Sequence, residues 1–443
     1  MGRLFGTDGA RGIAGSELTA DLAMKIGASA AYVLGENKKI KVIVGMDTRY
    51  SGDMLASAVN AGLLSMGANV IFVGVVPTPA VSFLVTHLNA DMGVMISASH
   101  NPAKYNGIKL FNNKGYKLAD EIEEKIEHYI LDEKLPECTN IGSFERNEEL
   151  KDKYIDFLYS LANDYSGLKV VVDCANGSAS TTAPILFKKL NIDAEIIFDN
   201  PDGININDNC GSTHLNSLIS KVKETGADLG IAYDGDADRC LLVSDNGEVI
   251  DGDYILAICG KDLKEKGKLN NNAVVGTVMS NLGLKKFCES ENINFVDTKV
   301  GDRYVLEEML DKDYVIGGEQ SGHVIFKEYA NTGDGELTSL MALNILSEKK
   351  CKLSELVSIM NKYPQVLVNV NVTKEGKTSF GDDAEINALI KKYEDELNGD
   401  GRILIRASGT ENLIRVMIEG KDTDEIDKMA GDIADLINKK YGI

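Results

Sequence analysis

Two serines flank an alanine in Ile96-Ser97-Ala98-Ser99-His100-Asn101-Pro102, directly after the apolar run Met92-Gly93-Val94-Met95-Ile96. A buried strand that ends in an Asn-Pro turn puts these hydroxyls at a strand's carboxyl end, where open α/β sheets place their ligands. A serine there is a candidate nucleophile. A Ser-His pair in a turn can equally serve backbone groups alone, so other segments must decide.

The second chemical segment is Asp234-Gly235-Asp236-Ala237-Asp238-Arg239, again after an apolar run. In an extended loop, alternate residues face one side, so three carboxylates can converge on one Mg²⁺. Three clustered carboxylates repel unless a cation joins them. A calcium loop of the EF-hand type also places Asp234, Asp236, Asp238 and Asp245 at ligand positions, but Arg239 occupies its glycine position and an apolar run, Cys240-Leu241-Leu242-Val243, follows. That pattern rejects it.

Two further segments suit phosphate. Phe5-Gly6-Thr7-Asp8-Gly9-Ala10-Arg11-Gly12 can expose backbone N–H groups and a guanidinium from a glycine-rich loop. Arg406-Ala407-Ser408-Gly409-Thr410-Glu411, with Arg415 on the strand that follows, offers two guanidiniums, two hydroxyls and a glycine turn. Neither G-x-x-x-x-G-K-[ST] nor G-x-G-x-x-G occurs, so a small phosphorylated metabolite fits better than a nucleotide.

The elements that must position these loops repeat. Ala90-Asp91-Met92-Gly93-Val94 returns as Ala227-Asp228-Leu229-Gly230-Ile231 and more faintly as Asp313-Tyr314-Val315-Ile316-Gly317, each followed by a polar loop, the third being Gly318-Glu319-Gln320-Ser321-Gly322-His323. Val42-Ile43-Val44-Gly45, Val170-Val171-Val172-Asp173 and Val274-Val275-Gly276 recur in the same order. The pattern predicts an α/β fold of three related mixed α/β domains, over 1–152, 153–252 and 253–363. The acidic stretch from Asp120 to Asp152 reads as helices with a solvated charged face closing the first. Beyond Pro364, an alternating strand, a helix near 384–396, strands at 402–406 and 412–418 and a last amphipathic helix predict a C-terminal α+β domain over 364–443.

With 443 residues the chain exceeds one core. A net charge of −21 without a basic stripe argues against nucleic acid. No apolar run is long enough to span a bilayer and the first residues lack a signal-peptide core, so no membrane partner and a cytoplasmic location are expected. The seven isolated cysteines include no C-x-x-C pair, which fits reduced thiols.

Taken together, the Thr7–Gly12, Ser97–Pro102, Asp234–Arg239, Gly318–His323 and Arg406–Glu411 loops resemble the signature loops of the α-D-phosphohexomutase superfamily, in its order and across nearly the whole chain. The wording Glu319-Gln320-Ser321-Gly322-His323 is similar to its amino-sugar branch. The resemblance implies four domains around a central cleft, the last a phosphate-binding domain. Ser99 would be the phosphorylated nucleophile beside His100. Asp234, Asp236 and Asp238 would hold one Mg²⁺ per chain next to the phosphoryl group on Ser99. Lys109 falls on the superfamily's Asn-Gly-x-Lys element and would be the acid/base, helped by Arg11 and Arg239.

Glu319 and Ser321 would grip sugar hydroxyls near His323. Gly301, Asp302 and Arg303 resemble a substrate loop, and Arg406, Ser408, Gly409, Thr410 and Arg415 would hold phosphate. The implied reaction interconverts glucosamine 6-phosphate and glucosamine 1-phosphate through glucosamine 1,6-bisphosphate, which, or another phosphoryl donor, also primes Ser99. It would feed UDP-N-acetylglucosamine synthesis. The implied partners are hexosamine phosphates, and a homodimer is compatible. A mutase for glucose or mannose phosphates would share every catalytic motif, and a phosphatase would pass the phosphoryl group to water. A non-catalytic sugar-phosphate sensor need not keep Ser99, the aspartates and Lys109 intact.

Overall fold

The computed structural model describes residues 4–6, 8–35, 38–408 and 412–443. Strands form at the short apolar runs. Met92–Ile96, Leu229–Tyr233 and Ala273–Thr277 are buried at every position, as strands covered by helices on both faces must be.

Three sheets share one topology. In the first, Lys41–Met46 lies parallel to Asn69–Val75 on one side and to Met92–Ile96 on the other, and Tyr105–Asn112 returns antiparallel beside Met92–Ile96. The second repeats this with Lys169–Asp173, Asp193–Ile197, Leu229–Tyr233 and Cys240–Ser244. The third uses Ala273–Thr277, Asn294–Thr298, Ile316–Gly318 and Val324–Phe326. The expected triplication of a mixed α/β unit is therefore present.

Physical constraints explain the repeated residues. Asp91 Oδ2 accepts from Lys41 N and Asp228 Oδ2 from Lys169 N, each at 2.8 Å, so the aspartate ties the start of one strand to its neighbour. Gly93, Gly230 and Gly317 face the crossover helices Thr78–His87, Asn216–Thr225 and Asp302–Asp311. A Cβ there would stand 2.7 Å from Val85 Cγ2, 2.8 Å from Val222 Cγ2 and 2.7 Å from Met309 Sδ. Only glycine lets each helix sit this close.

Two expectations need correction. The Asp120–Asp152 stretch is helical over Asp120–Leu131 and again from Glu148, but Phe144–Arg146 between them joins the first sheet as an edge strand. Nor are all its charges solvated. Glu127 is buried because its Oε1 accepts from Leu4 N and Phe5 N, both at 2.7 Å, supplying an acceptor that the edge of the sheet lacks. Secondly, the glycine-rich opening is not simply a loop. Phe5–Gly6 and Gly9–Ile13 form an antiparallel hairpin against Tyr105–Asn112, which puts Arg11 on a strand opposite Gly107.

The chain divides into two compact units. One holds the three related sheets (Met1–Met279 and Asn292–Ile359) and the other is formed by Ser280–Glu291 with Met360–Ile443. In the second unit Gln365–Asn371 and Gly401–Ala407 flank Leu413–Gly420 in an antiparallel sheet. Its core joins Ile414, Val416 and Ile418 to Ile386 and Tyr393 of the helix Ala384–Leu397 and to Ile426, Met429 and Ile433 of Thr423–Tyr441. This is the α+β arrangement expected of the C-terminal residues.

Candidate active site

The three polar loops leave equivalent strands at their carboxyl ends. Ser97–Asn101 follows Met92–Ile96, Asp234–Arg239 follows Leu229–Tyr233, and Glu319–His323 follows Ile316–Gly318. Lys109 projects from the returning strand Tyr105–Asn112, in register with Met95.

Ser99 is buried and its Oγ donates to Asp234 Oδ2 at 2.6 Å, with His100 Nδ1 3.3 Å away. Its N–H donates to Ser97 Oγ at 2.9 Å, so the two serines divide the work: Ser97 holds backbone while Ser99 faces the carboxylates. Lys109 Nζ donates to Asp236 Oδ2 (2.7 Å) and Asp238 Oδ2 (3.2 Å). Burial alone would lower the Lys109 pKa, but Asp236 and Asp238 outweigh it and hold the ammonium above its ordinary value. Burial, then the Arg239 and Arg11 charges, push His100 down to about 4, so its ring is neutral near pH 7.

The three carboxylates converge, though not through an extended loop. Asp234 to Asp238 turns back on itself, with Ala237 N donating to Asp234 O at 3.1 Å and Ala237 at φ +54°. Ligand atoms of Asp234, Asp236 and Asp238 lie within 4.8 Å of one another, and all three residues are buried. Asp236 Oδ1 and Asp238 Oδ1 make no hydrogen bond among the described residues. Burial, then the Asp238 and Asp236 charges, push Asp234 up to about 7. An all-oxygen set with unused lone pairs and surplus negative charge fits a hard divalent cation.

Positive charge surrounds this cluster. Arg239 Nε stands 3.9 Å from Asp238 Oδ1, and Arg11 pairs with Asp8; neither Nε makes a hydrogen bond among the described residues. Asp8 also meets Lys117 (2.5 Å) and Lys109 (3.5 Å), and Lys117 bridges on to Asp302 (2.6 Å). His323 Nε2 accepts from Gly333 N at 3.0 Å, which leaves the ring proton on Nδ1, 3.7 Å from Asp238 Oδ1.

The third loop is pinned by Gly252 N to Gln320 O and Cys240 N to Gly322 O, both 3.0 Å. Glu319 Oε1 accepts from Gly301 N at 3.1 Å, and the buried Ser321 Oγ makes no hydrogen bond among the described residues.

In the second compact unit, Arg406 and Arg415 stand directly opposite on paired antiparallel strands. Burial and the Arg415 charge hold Arg406 below its ordinary pKa. Like charges in that register repel unless an anion lies between them. Ser408 is buried beside them in sequence, its N–H donating to Leu413 O at 2.9 Å, while Gly409 and Thr410 lie outside the described residues.

Four family models match in chain order. Three describe α/β/α domains I, II and III of phosphoglucomutase/phosphomannomutase, over residues 2–137, 152–247 and 251–363, and the fourth its C-terminal domain, over 367–436. The chain belongs to the phosphoglucomutase/phosphomannomutase family.

Its curated relatives include proteins named phosphoglucosamine mutase. The one from Alkaliphilus oremlandii is 53% identical over 99% of this chain and 100% of its own, and that from Clostridium novyi is 54% identical over 99% of each. Among solved structures, a phosphoglucomutase/phosphomannomutase family protein from Burkholderia thailandensis aligns with a TM-score of 0.83 at 25% identity, covering 99% of this chain and 98% of its own. The N-acetylphosphoglucosamine mutase of Aspergillus fumigatus, solved with GlcNAc-6P and magnesium, shares the fold at 18% identity with a TM-score of 0.69 over 99% and 96% of the two chains.

For this family member, the structure thus brings Ser99, His100, Lys109, Arg11, the three aspartates, Arg239 and His323 into one contact network. Glu319 Oε1 joins Gly301 N, and Asp302 Oδ2 stands 3.5 Å from His323 Nε2. Arg303 turns elsewhere, pairing with Asp120 and, at 2.9 Å, with Glu123.

Sequence reasoning passed over Asp8, Arg49, Thr78, Lys117 and Asn207. Thr78 donates to Asp236 Oδ2 through Oγ1 (2.5 Å) and to Asp236 O through its N–H (2.9 Å). Its only signal was its place after Pro77 at the start of a helix.

Proposed function

We propose that the chain interconverts glucosamine 6-phosphate and glucosamine 1-phosphate, the activity that the names of its relatives carry, through a phosphorylated Ser99 and a 1,6-bisphosphate. What carries the residue assignment is the Ser99 Oγ–Asp234 bond of 2.6 Å beside a Lys109 ammonium shared by Asp236 and Asp238. The free hydroxyl of the sugar monophosphate attacks the phosphorus on Ser99. As that bond forms, the P–Oγ bond breaks and its electron pair stays on Oγ. The hydroxyl proton leaves through the Lys109 network. The bisphosphate then turns end for end and returns its other phosphoryl group to Ser99, so the phosphoenzyme is regenerated and only the phosphate position has changed.

Arg11 and Arg239, each with an Nε that makes no hydrogen bond among the described residues, donate to the phosphoryl oxygens in flight, where preorganised donors count most. Asp234, Asp236 and Asp238 would hold Mg²⁺, which would offset charge on the phosphoryl group and weaken the carboxylates' hold on the Lys109 proton. Glu319, Ser321 and His323 orient the ring hydroxyls with Gly301 and Asp302, whereas Arg303 is engaged by Asp120 and Glu123. Arg406, Ser408, Gly409, Thr410 and Arg415 take the phosphate that is not being transferred, one cradle serving both orientations. The four domains are assigned to 1–152, 153–252, 253–363 and 364–443.

The test is turnover with Mg²⁺ and trace glucose 1,6-bisphosphate on three substrates. Glucosamine 6-phosphate should show the highest kcat/KM, with residual activity on glucose and mannose 1-phosphates because the shared hydroxyl contacts remain. Ser99→Ala should abolish turnover and the phosphopeptide. Equal or greater efficiency with a neutral hexose phosphate would overturn the substrate, and phosphate found on Ser97 would overturn the nucleophile.

A further inference from the structure

Ser99 sits at φ +52°, a left-handed backbone that residues with a Cβ seldom adopt. The surroundings must enforce it, and the source is a buried arginine outside the chemistry described above. Arg49, in the loop after Lys41–Met46, has a side chain with no exposed surface. All five of its N–H donors are used. Nε donates to Asp47 Oδ2 (2.9 Å); Nη1 to Pro102 O (2.7 Å) and Tyr105 O (3.1 Å); Nη2 to Ser99 O (2.8 Å) and Asn101 O (2.7 Å). Asp47 Oδ1 in turn accepts from Arg49 N at 3.0 Å. From the loop that follows Asp193–Ile197, Asn207 Nδ2 donates to Ser99 O (2.9 Å) and Asn101 O (3.2 Å).

We infer that Arg49, oriented by Asp47 and assisted by Asn207, is a positioning residue that holds the Ser99 carbonyl and with it the left-handed backbone aiming Ser99 Oγ at the phosphoryl-transfer site. A planar fork with fixed donors is what fixing four carbonyls at once demands, and a point charge cannot replace it. None of these Arg49 bonds involves Ser99 Oγ, so its effect passes through the backbone alone. The inference rests on Ser99 being the phosphoryl carrier.

The experiment follows Ser99 phosphorylation from glucose 1,6-bisphosphate by mass spectrometry, together with steady-state kinetics. Arg49→Lys keeps the buried positive charge beside Asp47 but loses the fork. It should slow phosphorylation and kcat by roughly 100-fold, while KM for the sugar phosphate stays within about twofold. Asn207→Ala, which removes two contacts and no charge, should give the same kcat-selective loss at smaller size, and it carries the test if Arg49→Lys does not fold.

A stability comparison isolates the backbone. Ser99→Gly and Ser99→Ala both lose the hydroxyl, yet only glycine rests at this φ without strain, so the Gly variant should melt higher. In the Asn207→Ala background that gap should narrow as the loop relaxes. Wild-type phosphorylation rates in both clamp variants, a loss confined to KM, or an unchanged Gly–Ala gap would overturn the inference. Absence of phosphate on Ser99 in the wild-type protein would instead overturn the reading on which it rests.

Discussion

Asp236 uses one carboxylate oxygen twice and leaves the other open. Oδ2 accepts from Thr78 Oγ1 (2.5 Å) and Lys109 Nζ (2.7 Å), while the buried Oδ1 makes no hydrogen bond among the described residues. The two donors therefore orient the carboxylate with Oδ1 available to a cation. Thr78→Val should weaken Mg²⁺ or Mn²⁺ binding by roughly 10-fold or more, as losing a ligand's hydrogen-bond partner does, and Thr78→Ser should restore it. Calorimetric titration reads this directly; equal affinity in the Val variant would remove Thr78 from the site. His100, pushed down to about 4, carries no charge to lose above that pH. His100→Asn should accordingly leave the pH profile of kcat unshifted between about pH 5 and 8, and a vanished limb there would contradict it.

Residues that the structure gathers at the candidate site are legible in the sequence when they stand in clusters, as Ser99, Lys109 and the three aspartates do. Asp8, Arg49, Thr78 and Asn207 are not, because each is a common residue type whose importance comes from what the fold brings to it.

At the scale of elements, the repeated Asp–apolar–Gly segment is legible in the sequence as a repeat, without its cause. The cause is packing: in the second sheet a Cβ on Gly230 would lie 2.8 Å from Val222 Cγ2 and 2.9 Å from Leu218 Cδ1. Gly230→Ala should therefore destabilise the protein by about 1–3 kcal/mol, the usual range for overpacking. Adding Val222→Ala should recover part of that loss by making room. Urea denaturation of the two variants decides it, and a neutral Gly230→Ala would mean the helix Asn216–Thr225 shifts freely.

Apolar runs located strands such as Lys41–Met46 and Met92–Ile96 well, since both faces are buried and the run is continuous. The acidic 120–152 segment misled because charge pattern alone does not tell a solvated face from carboxylates that serve buried partners, as Glu127 serves Leu4 and Phe5. The strands Phe5–Gly6 and Gly9–Ile13 were hidden because their glycines read as a loop, while the pairing of the second comes from the edge of a sheet some hundred residues away in sequence.

The molecule as a whole carries a net charge of −21, yet its deepest carboxyls do not all contribute to it at neutral pH. Glu336, at the start of the helix Gly335–Lys349, is fully buried. Its Oε1 accepts from Thr182 Oγ1, but Oε2 makes no hydrogen bond among the described residues. Burial, only partly offset by Thr182, pushes its pKa up to about 8 from 4.5. The folded protein thus holds a proton that the unfolded chain releases near its ordinary pKa.

A raised folded-state pKa on an acid means that the associated stability is fully present below about pH 4.5 and is lost as pH rises through about 8. The loss is on the order of a few kcal/mol. Growing self-repulsion of an acidic chain acts in the same direction, so a falling Tm alone does not identify the group. Glu336→Gln does, because the amide keeps the shape and the acceptor for Thr182 and cannot ionise. Thermal melts at saturating Mg²⁺ should show the wild-type Tm dropping between about pH 6 and 8.5, with a clearly shallower drop in Glu336→Gln and the two curves separating most at the alkaline end. Parallel curves across that window would show that Glu336 is ionised in the folded state.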